Sequence, residues 1–263
     1  MCTAFVKQGK DLIYGFNFDM NYGAFEWKVF TEPDAFYVGL KPALSDSDML
    51  ALTGGEVPAE YGPDANGYIK ILGVNRLGNF GSQLNNLNFK KAPFRLGPDS
   101  MPLYVLISQY ISGKIGLPDI LKTAAEKELV NLPGGSVEIP DLAMHSLLAD
   151  RRGNIAVVEP GNGFAVIRER YAVLSNFSLL ELPADFTEER STYYGKDRYD
   201  TALHMLRASD DDFSVEDGLR ILDAVKQTGT FGTRVSFVYS NNENAVWYTL
   251  EGDFSNIRKH KFS

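Results

Sequence analysis

The sequence predicts an α+β fold in which two pairs of helices cover two stacked sheets, giving four layers. β-type segments come in runs, helical segments come in pairs between those runs, and single strands and helices do not alternate strictly. With 263 residues, 44% of them hydrophobic, the chain has the composition of a globular protein and the length for a substantial core. We expect a single domain over residues 1–263.

The first part of the chain is mostly β-type. Two β-prone runs flank a turn at 8–10 and predict a hairpin. Residues 41–66, rich in Asp, Ser, Gly and Pro, predict a long loop. The strands predicted here are 2–6, 11–18, 25–38 with an interruption at 32–34, and 68–74.

The first helix pair follows this β-type region. Ser100 is predicted to cap the first helix, whose apolar residues at helical spacing are Leu103, Leu106, Ile107, Tyr110 and Ile111. Pro118 and Asp119 open the second helix of the pair, which carries Lys and Glu on one face.

The second half repeats the order of strands, helices and strands. Helices are predicted over 197–208 and 214–226, the latter with a capping pattern of Ser214 and Asp217. The predicted strands are 144–149, 155–159, 163–167, and a final hairpin of 235–239 and 245–250.

Charge and motif content exclude several classes of function. The net charge of −8 argues against a nucleic-acid binder, because phosphate contacts need clustered basic residues. No apolar run is long enough to span a membrane and no secretory signal is recognisable, so we expect a cytoplasmic protein that does not engage a membrane. His145, His204 and His260 lack metal-ligand spacing and are expected to be structural, so we expect neither a metal nor a cofactor.

Cys2 is the only cysteine, and it directly follows Met1. A small second residue normally permits removal of the initiator methionine, which would leave a free α-amine on the cysteine. An α-amine has a pKa of roughly 7.7–8.0 and can serve as the base for its own side-chain nucleophile. The alternative is that Cys2 is a small buried apolar residue.

Several segments together resemble the choloylglycine hydrolase family, which contains conjugated bile salt hydrolases and penicillin V acylases. These segments are MCTAF, YGFNFD, GVNRLGNFGSQLNN, HSLLADRRGNIAVVEP and VLSNFSLL, and they cover essentially the whole chain in order. The resemblance implies an αββα sandwich of the N-terminal-nucleophile hydrolase type, with Cys2 as the nucleophile.

The resemblance also implies roles for residues near the start of the chain and in VLSNF. Asp19 would hold the region of the α-amine and the thiol. Asn176 would hydrogen-bond the amine of the nucleophile, and an asparagine in an apolar, strand-like run needs such a specific partner.

The resemblance implies two further roles, and for each of them more than one residue is a candidate. Asn85 falls where the family has an oxyanion-hole residue, but Asn86 or Asn88 would take this role if the register slips. Arg198, ahead of a predicted helix, resembles the family's second catalytic arginine, with Arg234 as the alternative.

One position departs from the family pattern. The first hairpin of the family usually contains Arg-Asn-x-Asp, and this chain has Phe16 in place of the arginine. Because a nearby guanidinium favours the thiolate, its loss suggests weaker activation or a different substrate. The apolar stripe close to Cys2 suits either an acyl pocket or the core; its members are Phe16, Phe18, Met20, Tyr22 and Phe25.

The leading prediction is an amidohydrolase that cleaves a linear, non-peptide C–N bond. Its partner would be a small N-acyl amide substrate of the bile salt, penicillin V or N-acyl amide type. One alternative is an acyltransferase of the same fold, in which an amine resolves the thioester. Another is a non-catalytic or unprocessed homologue that binds ligands. The sequence leaves open whether copies of the chain form a homo-oligomer.

Overall fold

The computed structural model describes residues 2–21, 26–41, 62–86, 97, 99–131, 143–181 and 193–263. Within these ranges the strands are β1 (Cys2–Gln8), β2 (Leu12–Asp19), β3 (Trp27–Glu32), β4 (Ala35–Leu40), β5 (Ile69–Asn75), β6 (Phe80–Gly81), β7 (Leu84–Asn85), β8 (Ser100–Pro102), β9 (Glu128–Val130), β10 (Met144–Ala149), β11 (Ile155–Glu159), β12 (Gly163–Ile167), β13 (Tyr171–Leu174), β14 (Thr233–Ser240), β15 (Ala245–Leu250) and β16 (Arg258–Lys261). The helices are α1 (Leu103–Ile111), α2 (Leu117–Glu126), α3 (Lys196–Ala208) and α4 (Val215–Ala224).

Most of the strands form two large antiparallel sheets. Sheet A has the order β13-β1-β2-β14-β15-β16. Sheet B has the order β12-β11-β10-β6-β5-β4-β3, and β7 also pairs with β10. Strands β8 and β9 form a separate parallel pair.

The two sheets face each other across the largest buried apolar cluster. Alternate residues of a strand lie on opposite faces, and Cys2, Ala4 and Val6 of β1 belong to this cluster. Leu147 and Ala149 of β10 enter it from sheet B. Cys2 therefore starts a central strand with its side chain between the sheets.

Helices cover the outer faces of both sheets. On sheet B, Leu148 packs in one cluster with Ile107 of α1. On sheet A, Phe5 packs in another cluster with Leu222 of α4. The resulting order of helices, sheet B, sheet A and helices confirms the predicted α+β fold with four layers.

The observed starts of α2, α3 and α4 agree with the predicted helix starts to within one residue, whereas the predicted cap of α1 is wrong. The side chain of Ser214 accepts a hydrogen bond from the backbone N–H of Asp217, which confirms the capping pattern of α4. Ser100 does not cap a helix, because its hydroxyl is bonded to Gly97 and its backbone belongs to β8. Helix α1 begins after Pro102, whose backbone is extended.

The strand predictions hold closely in the middle of the chain and for the final hairpin, but they miss the last strand. The strands predicted at 144–149, 155–159 and 163–167 are β10, β11 and β12 with the same bounds. The predicted final hairpin is followed by a further strand, β16, which pairs with β15. Most of the predicted loop at 41–66 lies outside the described residues. None of the helices in the described ranges combines the length and the apolar character that crossing a membrane requires.

Candidate active site

Cys2 lies in the interior of sheet A, between β13 and β2, and is only 6% exposed. Its Sγ atom donates a weak hydrogen bond to the carbonyl oxygen of Asp19 at 3.9 Å. Burial raises the pKa of the Cys2 thiol, and the positive charges of the chain N-terminus and of Arg198 oppose this shift only in part. The thiol is therefore protonated at neutral pH, and any nucleophilic role needs a base.

Asn176 holds the backbone nitrogen of Cys2. It follows β13 by two residues and is fully buried. Its Oδ1 accepts hydrogen bonds from the Cys2 nitrogen at 2.8 Å and from Nη2 of Arg198 at 2.7 Å. Its Nδ2 donates to the carbonyl oxygen of Asn85 at 2.6 Å. Because two donors face Oδ1 and a carbonyl faces Nδ2, the amide has only one orientation that satisfies all its partners.

Arg198 approaches Cys2 from the helical side of sheet A. It lies in the first turn of α3 and is 3% exposed. Nη1 donates to the carbonyl oxygen of Cys2 at 2.6 Å and to Oγ1 of Thr3 at 2.8 Å. The same Nη1 lies 3.6 Å from Oδ2 of Asp19. One guanidinium thus joins β1, β2 and the segment that carries Asn176.

Gly195 makes room for this guanidinium. It precedes α3 with a φ of +81°, a left-handed conformation that favours glycine. A Cβ atom here would overlap Oγ of Ser175 and Nη2 of Arg198. A glycine is therefore required for Arg198 to reach Asn176.

Asp19 ends β2 beside Cys2 and is 3% exposed. Its Oδ1 accepts a hydrogen bond of 2.6 Å from the hydroxyl of Thr233 on β14. Burial raises the pKa of Asp19 to about 7, although Thr233 and Arg198 both favour the charged form. Asp19 is therefore a carboxyl group that titrates near neutral pH.

Asn85 reaches the site through its backbone. Its carbonyl oxygen accepts the hydrogen bond from Asn176, but no hydrogen bond from its side chain is present among the described residues. The neighbouring Asn86 is 2% exposed, and its backbone N–H donates to the carbonyl oxygen of Ala143. Of these two asparagines, Asn85 is the one bonded to Asn176, and Asn88 lies outside the described residues.

The alternative arginine has other partners. Nε of Arg234 donates to the carbonyl oxygen of Met20 at 3.0 Å, and Nη1 pairs with Glu251 at 3.1 Å. In the described part of the chain Arg234 has no hydrogen bond with Cys2 or Asn176. Arg198 is the arginine that contacts the Cys2 backbone.

Phe16 occupies the layer between the sheets. It is fully buried and stacks on Phe237 of β14 with 6.1 Å between ring centroids. A guanidinium at position 16 would enter this apolar layer, whereas Arg198 enters from the opposite face of sheet A. Phe18 and Met20 also contact the inter-sheet cluster, and Tyr22 and Phe25 lie outside the described residues.

Sequence reasoning missed several side chains of this site. Thr3 accepts a hydrogen bond from Arg198, and Thr233 donates one to Asp19. Nothing in the sequence distinguishes these two residues from other strand threonines. His145 and Glu159 lie within a segment that carries the family resemblance, yet the sequence did not indicate that they meet. In the described ranges no three His, Cys, Asp or Glu side chains are grouped so that they could hold a metal ion.

Comparison with known proteins supports the fold. No family model matches the sequence, and no curated protein matches it. A mutant of the conjugated bile acid hydrolase from Clostridium perfringens matches 98% of this chain and 92% of its own, with a TM-score of 0.63 and 13% identity. Penicillin V acylase from Agrobacterium tumefaciens matches 95% of this chain and 83% of its own, with a TM-score of 0.55 and 13% identity. The chain thus shares the fold of these two hydrolases, a four-layer αββα arrangement that the motifs predicted.

Proposed function

We propose that the chain is an amidohydrolase that cleaves the linear, non-peptide C–N bond of an N-acylated small molecule. In this proposal Met1 is removed, Cys2 is the nucleophile, and its α-amine is the base. The fold shared with a bile acid hydrolase and a penicillin V acylase supports this class of reaction.

The observation that carries the proposal is the set of contacts around the nitrogen of Cys2. A buried amide oxygen accepts from this nitrogen, and a buried guanidinium and a backbone carbonyl fix that amide in turn. The same guanidinium binds the Cys2 carbonyl oxygen. Every buried backbone N–H needs an acceptor, but here the acceptor is a side-chain amide that a buried guanidinium also binds. A nitrogen that acts as a base must be held beside its thiol, and these contacts do so.

The chemistry follows from the protonation states. Because burial keeps the thiol protonated, the α-amine must take the Sγ proton as sulfur attacks the acyl carbon. The C–N bond then breaks, and the leaving amine takes the proton from the α-ammonium group. Water attacks the thioester, releases the acid and restores the thiol and the amine.

The negative oxygen of the tetrahedral intermediate needs hydrogen-bond donors. We assign this role to Asn85 and a backbone N–H group. Removing one such donor in other enzymes costs about 2.7–4 kcal/mol of transition-state stabilisation.

The test is a panel of amides offered to the wild-type protein and to Cys2→Ser. Intact mass first establishes whether Met1 has been removed. The panel contains glycine- and taurine-conjugated bile salts, penicillin V and N-acyl homoserine lactones. We expect processed wild type to release the amine from at least one of these, and Cys2→Ser to lose most of that activity while keeping its melting temperature. A processed wild type that cleaves none of them, or a fully active Cys2→Ser, contradicts the proposal.

The two alternatives give different results in the same panel. An acyltransferase would transfer the acyl group to an added amine in preference to water. A ligand-binding homologue would retain Met1 or would bind an amide without cleaving it.

A further inference from the structure

His145 and Glu159 form a buried pair next to the segment that carries Asn176. His145 lies in β10 and Glu159 ends β11, and their side chains are 0% and 1% exposed. Nδ1 of His145 is 3.3 Å from Oε1 of Glu159. Burying two such polar groups is unfavourable unless they are hydrogen-bonded. Their other partners therefore indicate what the pair does.

Those partners lie at both ends of segment 175–179. Nε2 of His145 is 2.7 Å from the carbonyl oxygen of Ser175, and it carries the hydrogen because a carbonyl can only accept. Oε1 of Glu159 accepts from the backbone N–H of Leu179 at 2.8 Å, and Oε2 accepts from the hydroxyl of Ser178. Two side chains of sheet B thus hold a segment that leaves sheet A.

Asn176 lies between these two anchored ends. The carbonyl bound by His145 belongs to the residue directly before Asn176, so its position influences where the Asn176 amide lies. Ser175 itself donates from its hydroxyl to the carbonyl oxygen of Cys2 at 3.4 Å. The pair is thus linked to Cys2 through a single short segment.

We propose that His145 and Glu159 are positioning residues, which hold segment 175–179 so that Asn176 keeps its contact with the nitrogen of Cys2. The catalytic part of this inference rests on the proposed function. In this role the pair does not touch Cys2 or the substrate, and it acts through Ser175 and Asn176.

The charge of Glu159 is consistent with this role. Burial alone would raise the pKa of Glu159, but hydrogen bonds from His145, Ser178 and Leu179 outweigh burial and hold the pKa below its ordinary value. The carboxylate therefore remains an acceptor for these donors at neutral pH.

The test compares two substitutions of His145. The amide nitrogen of His145→Gln has the same reach along the side chain as Nε2 and restores the donor to Ser175. The amide of His145→Asn reaches only as far as Nδ1 and leaves the Ser175 carbonyl without this donor. His260→Asn is the matched control, because Nε2 of His260 also lies 2.8 Å from a backbone carbonyl, that of Glu32, but on the edge strand β16.

We expect His145→Asn to lower kcat by up to about 100-fold, the scale of a small displacement of catalytic groups, with little change in KM. His145→Gln should recover most of that loss, and His260→Asn should keep wild-type kcat even where its melting temperature falls. A folded His145→Asn with wild-type kcat overturns the proposal, as does a His145→Gln that is no better than His145→Asn.

A second readout needs no substrate. The rate at which iodoacetamide alkylates Cys2 is measured against pH in the processed proteins, in all of which Asp19 and Arg198 are unchanged. If Asn176 is displaced, the midpoint of this profile shifts in His145→Asn but not in His145→Gln. If the profiles of wild type and His145→Asn coincide, the positioning role is overturned, whether or not an amide is hydrolysed. The absence of amide hydrolysis by itself would contradict only the proposed function. If His145→Asn does not fold, Glu159→Gln takes its place, with a lowered kcat expected and an unchanged kcat overturning the proposal.

Discussion

The side-chain oxygen of Asn176 lies 2.8 Å from the backbone nitrogen of Cys2, although 174 positions separate the two residues. Arg198 binds the same oxygen and also the carbonyl oxygen of Cys2, so both backbone polar groups of Cys2 have side-chain partners. These contacts hold Cys2 in one orientation at the start of a central strand.

Arg198→Ala should lower kcat/KM by about 100-fold, on the scale of 2–4 kcal/mol for a lost charged donor at a reaction site. Arg198→Lys should recover only part of this loss, since an ammonium group lacks the planar fork that binds Asn176 and Cys2 together. The measurement is steady-state kinetics, with thermal melting as the check on folding.

Arg234→Ala is the matched control for this prediction. Arg234 is also a buried arginine, but among the described residues its hydrogen bonds go to Met20, Thr230 and Glu251. It should lower the melting temperature with a much smaller effect on kcat/KM. Equal effects of the two alanine variants would mean that Arg198 has no special role at Cys2.

Gly195→Ala should destabilise the protein and reduce activity together. A left-handed backbone costs a residue with a Cβ atom about 1–2 kcal/mol, and here the new methyl group also overlaps Ser175 and Arg198. Gly67→Ala is the control, because Gly67 has a φ of +82° and no atom lies within 4 Å of the place its methyl group would take. Chemical unfolding should show a clearly larger loss in the free energy of unfolding for Gly195→Ala than for Gly67→Ala. Only Gly195→Ala should have a lowered kcat.

Asp19 should make the stability of the protein depend on pH. Its pKa is raised from 3.8 to about 7 in the folded protein, so between these values the folded state binds more protons than the unfolded state. The free energy of unfolding therefore falls as pH rises from about 4 to 7, by up to roughly 4 kcal/mol from this group. Urea unfolding of wild type and Asp19→Asn across this range should show the difference between them shrink or reverse as pH rises.

Asp217→Asn provides the control for that measurement. Burial opposes ionisation of Asp217, but hydrogen bonds from Ser214 and the charge of Arg220 lower its pKa below 3.8. Its titration therefore lies below the window, and the stability difference between Asp217→Asn and wild type should stay constant from pH 4 to 7. If the Asp19→Asn difference is equally constant, Asp19 does not titrate near neutral pH.

Blocking the removal of Met1 should abolish activity. A lysine inserted between Met1 and Cys2 leaves the thiol intact but gives the nitrogen of Cys2 a peptide bond, which cannot act as a base. Intact mass verifies the block, and the amide panel measures the activity. Normal kcat in the blocked protein would show that another group is the base.

Local sequence patterns predicted the strands and helices better than the contacts between them. The strands β10 to β12 follow from apolar runs separated by strong turns, and Ser214 caps α4 as its pattern indicates. Strand β16, with the sequence RKHK, has no apolar alternation and depends on its pairing with β15. Ser100 has the residue type of a cap, but local bonds to Gly97 override this preference.

The family motifs identified residues that the fold brings to Cys2, but not how they are connected. That Arg198 binds the Cys2 carbonyl 196 positions away depends on where α3 packs against sheet A. The substitution at Phe16 was visible in the sequence, while its stacking on Phe237 between the sheets was not. Likewise, His145 and Glu159 meet because β10 and β11 are adjacent in sheet B.

The central claim is that Cys2 forms a covalent acyl intermediate from the mature N-terminus. The most direct measurement is mass spectrometry of the N-terminal peptide from protein quenched with acid while it turns over an amide substrate. We expect a peptide that begins at Cys2 and carries the acyl group as a thioester, which neutral hydroxylamine removes. Two results would contradict this claim while the substrate is being consumed. One is a peptide that retains Met1, and the other is a peptide without an acyl group at Cys2 when the acyl group is found on another residue.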